Sequence, residues 1–472
     1  MLNNEEKRKI SLKNYEDWQK AIDKKDLRIA VIGIGRIGLP TSLVISKRGF
    51  MTYGIDINPV LVEKVNQGGG DPPIPFVLDE PNLAETLKDV VLKGLFKATT
   101  QFEQFAKISD VILICVPTPV TEHKVPDYSI IDNVVKDIGS LKDDLKNKII
   151  IFEPTLGPHY VEKHGIPSIE SFSGLKVNRD FWVVSCPERA NPGYIMENLT
   201  SVPRIVGGSN DFAGKVITSL YKKVYNVEII QVSNPRTANS IKLIENIFRT
   251  VNIAFANEIS QLMRRLDIDY MEVLKGAATK YNFLPHYPGP GVGGPCLPSN
   301  PYYLIDDGYK VSFTPNLVRL ATEINQRQPA HITELIFEGL NKIGYPIAGT
   351  PIAFLGISYK ANVKDIQISS AIPIIEDLRN YNASVKVYDP FYKSDRFLNM
   401  KIAPDYKFIQ QDYPIIVVHT DHKEFCTNEF KQYLKKCSNL KVLVDCHNIY
   451  EYQELPQGIY YIGVGRPAKY IE

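Results

Sequence analysis

Three side chains in this 472-residue chain have the types and spacing to oxidise an alcohol and to carry the product on sulfur. Cys296 lies in the run GVGGPCLP, among Gly291, Gly293 and Gly294, where a ligand could approach the backbone. A thiolate attacks carbonyls and is favoured by nearby positive charge. Lys242 and Asn246 are four residues apart, so a helix puts them on one face. The lysine could hold an oxyanion and move a proton, and the asparagine could donate to the same oxygen. Arg249, a turn further on, could meet a phosphate or sugar. The competing reading of this trio is a polar helix face in solvent.

A second cluster would hold a cofactor. Gly33, Gly35 and Gly38 form G-x-G-x-x-G after the apolar run LRIAVI, with Arg36 and Ile37 inside the turn. Gly33 permits the turn, Gly35 lets a pyrophosphate approach, and Gly38 lets helix and strand pack closely. The helix N-terminus offers free N–H groups to phosphate. Asp56, at the end of the next apolar segment, could accept from both ribose hydroxyls and would repel a 2′-phosphate, so NAD is expected rather than NADP. The alternative is a glycine turn of purely structural use.

These clusters need a scaffold, and the length allows roughly three domains. With 55 basic and 53 acidic side chains the net charge is +2, which provides no broad field for nucleic acid. No apolar run approaches the ~20 residues of a membrane helix. The first 25 residues lack the apolar segment of a secretory signal. The six cysteines include no C-x-x-C pair, so no metal site is expected, and they read as reduced thiols of a cytoplasmic protein.

Apolar runs at Leu27–Ile32, Met51–Ile55, Val111–Val116, Ile149–Phe152, Trp182–Ser185 and Arg204–Val206 alternate with helical stretches, which predicts a doubly wound parallel sheet. From Thr237 to Leu266, apolar residues recur at three- and four-residue steps without Gly or Pro, which predicts one long helix, either a spine with a dimer surface or a core helix. The segment 282–301 is too rich in Pro and Gly for a regular element. After Tyr345 the opening pattern returns, with strands at Pro351–Leu355, Val385–Tyr388, Ile415–His419 and Lys441–Val444 but no glycine fingerprint. The expected architecture is α/β: two Rossmann-like doubly wound domains joined by a central helical domain with one long helix. The boundaries are a charged, solvated, partly helical extension at 1–26, a cofactor domain at 27–230, a central domain at 231–340 and a second Rossmann-like domain at 345–472.

The runs GIGRIGLP (33–40), GIDINP (54–59), VPTP (116–119), EPTLGP (153–158), SCPERANPG (185–193), KLIENIFRTVNIAFANE (242–258), YPGPGVGGPCLPSNPYYL (287–304) and GISYKANVKD (356–365) occur in an order that resembles the UDP-glucose/GDP-mannose dehydrogenase family. The likeness is greatest to its UDP-N-acetylglucosamine and UDP-N-acetylmannosamine 6-dehydrogenases. The resemblance implies a homodimer acting on a nucleotide-diphosphate sugar, with two NAD consumed per C6 alcohol and a thioester on Cys296. It also implies roles for single residues. Glu153 would handle the hydrolytic water. Thr118 would lie near the nicotinamide and the water, and Pro117 and Thr155 would contact NAD. Arg189, Phe283, Tyr287, Gly291 and Lys360 would join Lys242, Asn246 and Arg249 around the substrate.

Four positions depart from the family pattern. Asn300 stands where C-x-P-x-D has its aspartate, Pro295 where the branch has histidine, and Gln367 where D-x-R-E-S has arginine. The segment that reads D-T-R-N in the family is here Asp445, Cys446, His447 and Asn448. Asparagine cannot take a proton, so a slowed hydrolysis is expected. The alternatives are a UDP-glucose or GDP-mannose 6-dehydrogenase, or a catalytically weakened paralogue that binds NAD and nucleotide sugar.

Overall fold

The computed structural model describes residues 12–70, 74–78, 80–191 and 193–472. The chain divides into two compact units, one of residues 1–245 with 302–313, the other of residues 246–301 with 314–472.

In the first unit the described residues form an eight-stranded sheet. Its strands are β1 (Arg28–Ile32), β2 (Met51–Ile55), β3 (Phe96–Thr99), β4 (Val111–Ile114), β5 (Ile149–Phe152), β6 (Trp182–Ser185), β7 (Arg204–Gly208) and β8 (Ile229–Val232). The order is β3-β2-β1-β4-β5-β6-β7-β8. All neighbours are parallel except β6 and β7. Strands β1, β4, β5 and β6 are almost wholly buried, because helices cover both faces and uninterrupted Ile and Val runs suit both. The sequence reading omits β3 and β8. They are the two edge strands, and their exposed positions break the apolar run.

Residues 12–26 correct the expectation of a solvated extension. Helix α1 (Tyr15–Lys24) is capped by Asn14 and buries Trp18, Ala21 and Ile22 in the core beneath the sheet. Residues 1–11 of that expected extension lie outside the described residues. Helix α2 (Gly38–Lys47) begins at the third glycine of the fingerprint.

The long helix, α3 (Pro235–Arg265), has 31 residues. Its apolar stripe is only partly covered: Ile244, Phe248, Phe255 and Leu262 are exposed in this chain. Helix α4 (Asn300–Lys310) starts within the last two residues of the segment 282–301, and α5 (Asn316–Ile343) adds a second long helix of 28 residues that the periodicity reading does not anticipate.

The second unit has a six-stranded sheet with order β10-β9-β13-β14-β15-β16. Its strands are β9 (Pro351–Leu355), β10 (Ser384–Tyr388), β13 (Ile415–Val418), β14 (Val442–Asp445), β15 (Ile459–Gly463) and the antiparallel β16 (Lys469–Ile471); β11 (Arg396–Phe397) and β12 (Met400–Lys401) form a hairpin beside it. Helix α6 (Ala371–Asn380) packs on one face.

The two sheets open alike. Gly33 N–H donates to Ile55 O at 2.7 Å, and Gly356 N–H to Tyr388 O at 2.7 Å. Ile34 N–H meets Asp56 at 3.0 Å, and Ile357 N–H meets Asp389 at 2.9 Å. In the second unit the carboxylate also takes Ser358 and His422 and is fully buried, so nothing is left for a ribose. This is the physical form of the lost fingerprint.

Candidate functional site

In the first unit the glycine fingerprint has three distinct geometries. Gly33 has φ +86°, which an L side chain adopts only with strain, and a Cβ there would stand 2.9 Å from Cys115 O. A Cβ on Gly38 would fall 1.8 Å from Gly33 O, so the first turn of α2 can close on the loop only if Gly38 has no side chain. A Cβ on Gly35 would meet no atom within 4 Å. The bare backbone there faces open space, as a pyrophosphate requires. Asp56 fixes the loop through Ile34 N–H and Asn58 N–H. Arg36 is exposed and Ile37 half-buried beside them. These residues fit a dinucleotide.

Across the carboxyl end of the sheet, Thr118 Oγ1 donates to Thr155 O at 2.8 Å and the Tyr303 hydroxyl donates to Thr118 O. Pro117 beside them is exposed. Lys242 in α3 is 8 % exposed.

Two side chains expected at the chemistry face other partners. Glu153 is buried; it accepts from Tyr221 Oη at 2.6 Å and Arg204 at 3.0 Å, with Cys115 Sγ at 3.5 Å. Arg204 also reaches Glu188 at 2.8 Å and stacks over Tyr225 at 4.3 Å. Burial pushes Glu153 toward its protonated form despite Arg204. Burial would raise Glu188 too, but Arg204 and the Ala190 and Arg189 amides hold it below the usual range. In this structure Glu153 is held by protein donors, at the end of β5. Arg189 clamps Glu245 through Nε at 3.0 Å and through its terminal nitrogen, and gives Nη1 to Pro203 O at 2.6 Å. Its donors serve the protein first.

In the second unit, Cys296 is an exposed free thiol. Its carbonyl accepts from Ser299 N–H at 3.1 Å and Asn300 N–H at 2.8 Å, the turn that starts α4. The glycines before it are tight rather than open, which corrects the reading of a loop cleared for a ligand. Cβ atoms on Gly293 and Gly294 would stand 2.6 Å from Tyr359, and Gly294 N–H is tied to Gln367 O at 2.9 Å. Gly291, at φ +135°, lies against Ser370 and Pro329. Asn246 and Asn300 each have a buried Nδ2 without a partner among the described residues. Such a donor is costly unless an oxygen meets it.

Arg249 and Tyr287 are exposed, and Phe283 packs toward Tyr270 and Leu274. Lys360 is half-buried. Leu297 and Pro298, the two residues that follow Cys296, line a cavity of about 300 Å³ that Ser369 and Ser370 also border. The sequence reading missed Ser370, His419 and Arg204. No local pattern marks them, since their partners are distant in the chain.

Residues 27–225 match the NAD binding domain of the UDP-glucose/GDP-mannose dehydrogenase family, 236–327 its central domain and 353–452 its UDP binding domain. The UDP-N-acetyl-D-mannosamine dehydrogenase of Pyrococcus horikoshii is 34% identical over 440 residues, covering 93% of this chain and 99% of that protein. A solved structure of the UDP-D-ManNAc dehydrogenase of that organism superposes with a TM-score of 0.84, covering 93% of this chain and 99% of that chain. The UDP-N-acetyl-D-glucosamine 6-dehydrogenase of Pseudomonas aeruginosa is 31% identical over 402 residues, 85% of this chain and 92% of that protein.

Proposed function

The chain belongs to the UDP-glucose/GDP-mannose dehydrogenase family, an NAD-binding family of UDP-sugar dehydrogenases, and from that premise we propose that it oxidises the C6 alcohol of a UDP-N-acetylhexosamine, UDP-GlcNAc or UDP-ManNAc, to the uronate. The observation that carries the reading is the exposed Cys296 thiol at the turn into α4. The relatives named above support the substrate class.

Bound NAD supplies the hydride acceptor, held by the Gly33–Gly38 turn with Asp56. Asn246, one turn from Lys242 on α3, donates a hydrogen bond to the oxygen at C6, and Lys242 holds that oxygen and takes its proton as the alcohol becomes an aldehyde. The Cys296 sulfur adds to the aldehyde carbon, and the oxygen regains a proton as the thiohemiacetal forms. Loss of a second hydride, to a second NAD, and of the hydroxyl proton converts this to a thioester. Water then adds, the carbon–sulfur bond breaks, and carboxylate and thiol are released. Asn300, without an ionisable group, slows that last step.

In this reading residues 27–230, 231–340 and 345–472 act as cofactor, central and nucleotide domains. A second copy of the chain covers the exposed stripe Ile244, Phe248, Phe255 and Leu262 of α3. Six free thiols fit a reducing, cytoplasmic compartment.

The test is NADH yield with limiting UDP-GlcNAc, UDP-ManNAc, UDP-glucose and GDP-mannose. Two NADH per N-acetyl sugar, abolished in Cys296→Ala, are expected. One NADH per sugar, or turnover confined to UDP-glucose or GDP-mannose, sinks the proposal.

A further inference from the structure

The cavity that Leu297 and Pro298 border has a wall mostly of hydrocarbon: Val292, Leu297, Pro298, Pro329, Ile368 and Ile372. Leu297, one of the lining residues, directly follows Cys296 in the chain. No lysine or arginine is among its described lining residues. A phosphate brought there would lose its hydration with no cation in return. The cavity suits a neutral group.

Three of its hydroxyls have spent their protons on the protein. Thr250 Oγ1 donates to Asn246 O at 3.0 Å, and Thr322 Oγ1 to Val318 O at 2.8 Å. Ser370 is the third. Its Oγ lies 2.9 Å from His419 Nε2, and His419 Nδ1 lies 3.0 Å from Thr420 Oγ1. Thr420 gives its hydroxyl proton to Ser358 O at 2.8 Å. Toward the ring it can therefore only accept, which places the ring proton on Nδ1. Nε2 is then bare, and the Ser370 hydroxyl must donate to it. His419 is 2 % exposed and stacks on Phe354, with ring centroids 5.3 Å apart, and burial keeps the ring neutral. Ser370 thus turns an oxygen with lone pairs only toward the cavity. A ligand group that meets it must bring a hydrogen.

We propose that Ser370 is a substrate-selecting residue, whose oxygen, fixed by His419 and Thr420, accepts the N–H of the substrate's 2-acetamido arm while the acetyl methyl lies on the hydrocarbon wall. A secondary amide bearing a methyl group offers a donor and an alkyl end within one short, neutral group. Those are the two features this cavity complements. The inference rests on the substrate reading above and deepens it.

The test is calorimetric binding without NAD, so that no turnover intervenes, of UDP-N-acetylglucosamine, its C2 epimer and UDP-2-deoxyglucose. The proteins are wild type, Ser370→Ala, Ser370→Thr and His419→Phe. Ser370→Ala should weaken the preferred N-acetyl sugar about 3- to 10-fold, the loss of one neutral hydrogen bond. UDP-2-deoxyglucose, which presents no donor at C2, should bind wild type and variant alike. Ser370→Thr keeps the acceptor and should restore affinity. His419→Phe lets the serine hydroxyl rotate and should give an intermediate loss. Should Ser370→Ala fail to fold, His419→Phe reads the same contrast between sugars. An equal loss for the N-acetyl and deoxy sugars, or no loss for either, overturns this proposal alone. Wild type that binds UDP-2-deoxyglucose but neither N-acetyl sugar overturns the substrate reading as well.

Discussion

The Arg204 guanidinium lies 3.0 Å from Glu153, with side-chain exposures of only 6% and 1%. The same guanidinium holds Glu188 at 2.8 Å. One cation thus ties the end of β5, which leads to Thr155, to the turn after β6, which carries Arg189.

Removing that cation should cost more than an average substitution. Arg204→Met leaves two buried carboxylates facing each other, and breaking a buried pair costs about 3–5 kcal/mol. Urea unfolding at neutral pH should show the loss, and Glu153→Gln added to Arg204→Met should recover part of it. A loss below about 1 kcal/mol would mean that water reaches the pair.

Two glycines of one fingerprint should behave differently. Gly35→Ala places its Cβ in open space, so stability should change by no more than about 0.5 kcal/mol. NAD affinity should nevertheless fall about tenfold or more, because the methyl occupies the pyrophosphate's approach. Gly38→Ala drives a Cβ to 1.8 Å from Gly33 O, so the loop must open and the thermal midpoint must drop. Thermal melts and NAD titration of both variants test the contrast.

His419 should leave a mark on the pH dependence of stability. Burial lowers it to about 3, whereas the unfolded chain protonates near the ordinary value of about 6.5. Between these values the unfolded state binds more protons than the folded one. Stability is therefore fully present above the unfolded value and is lost as pH falls toward the folded one. Wild type should lose up to about 1.4 kcal/mol per pH unit more than His419→Phe between roughly pH 6 and 4. Parallel stability curves for the two proteins would contradict a neutral, buried ring.

Asn300 opens helix α4 with its Nδ2 buried and unpartnered among the described residues. A carboxylate at a helix N-terminus is favoured by the dipole, so Asn300→Asp should fold. If hydrolysis limits turnover, quenched wild type should show a sugar thioester on Cys296 by mass spectrometry. Asn300→Asp should then deplete that adduct and raise kcat roughly tenfold or more. Fast wild-type turnover without an adduct would remove the reason for the substitution.

The sequence by itself determined what depends on near neighbours. The fingerprint is legible because Gly33 needs positive φ and Gly38 needs no Cβ, and both demands arise within one turn of chain. The buried strands are legible because covering both faces forces uninterrupted Ile and Val runs. Cys296 is legible because a thiol among glycines and prolines has no helix or strand core to fill. Tertiary structure alone decided the rest. Glu153 carries no sign of its partner until β7 brings Arg204 across 51 residues to bind it. Gly293 and Gly294 read as open until Tyr359 packs against them. Ser370 carries no signal until the second sheet sets His419 beside it, 49 residues away, and the ring consumes its proton. In each case the deciding partner is distant in the chain, a long-range arrangement that no local spacing of residues encodes.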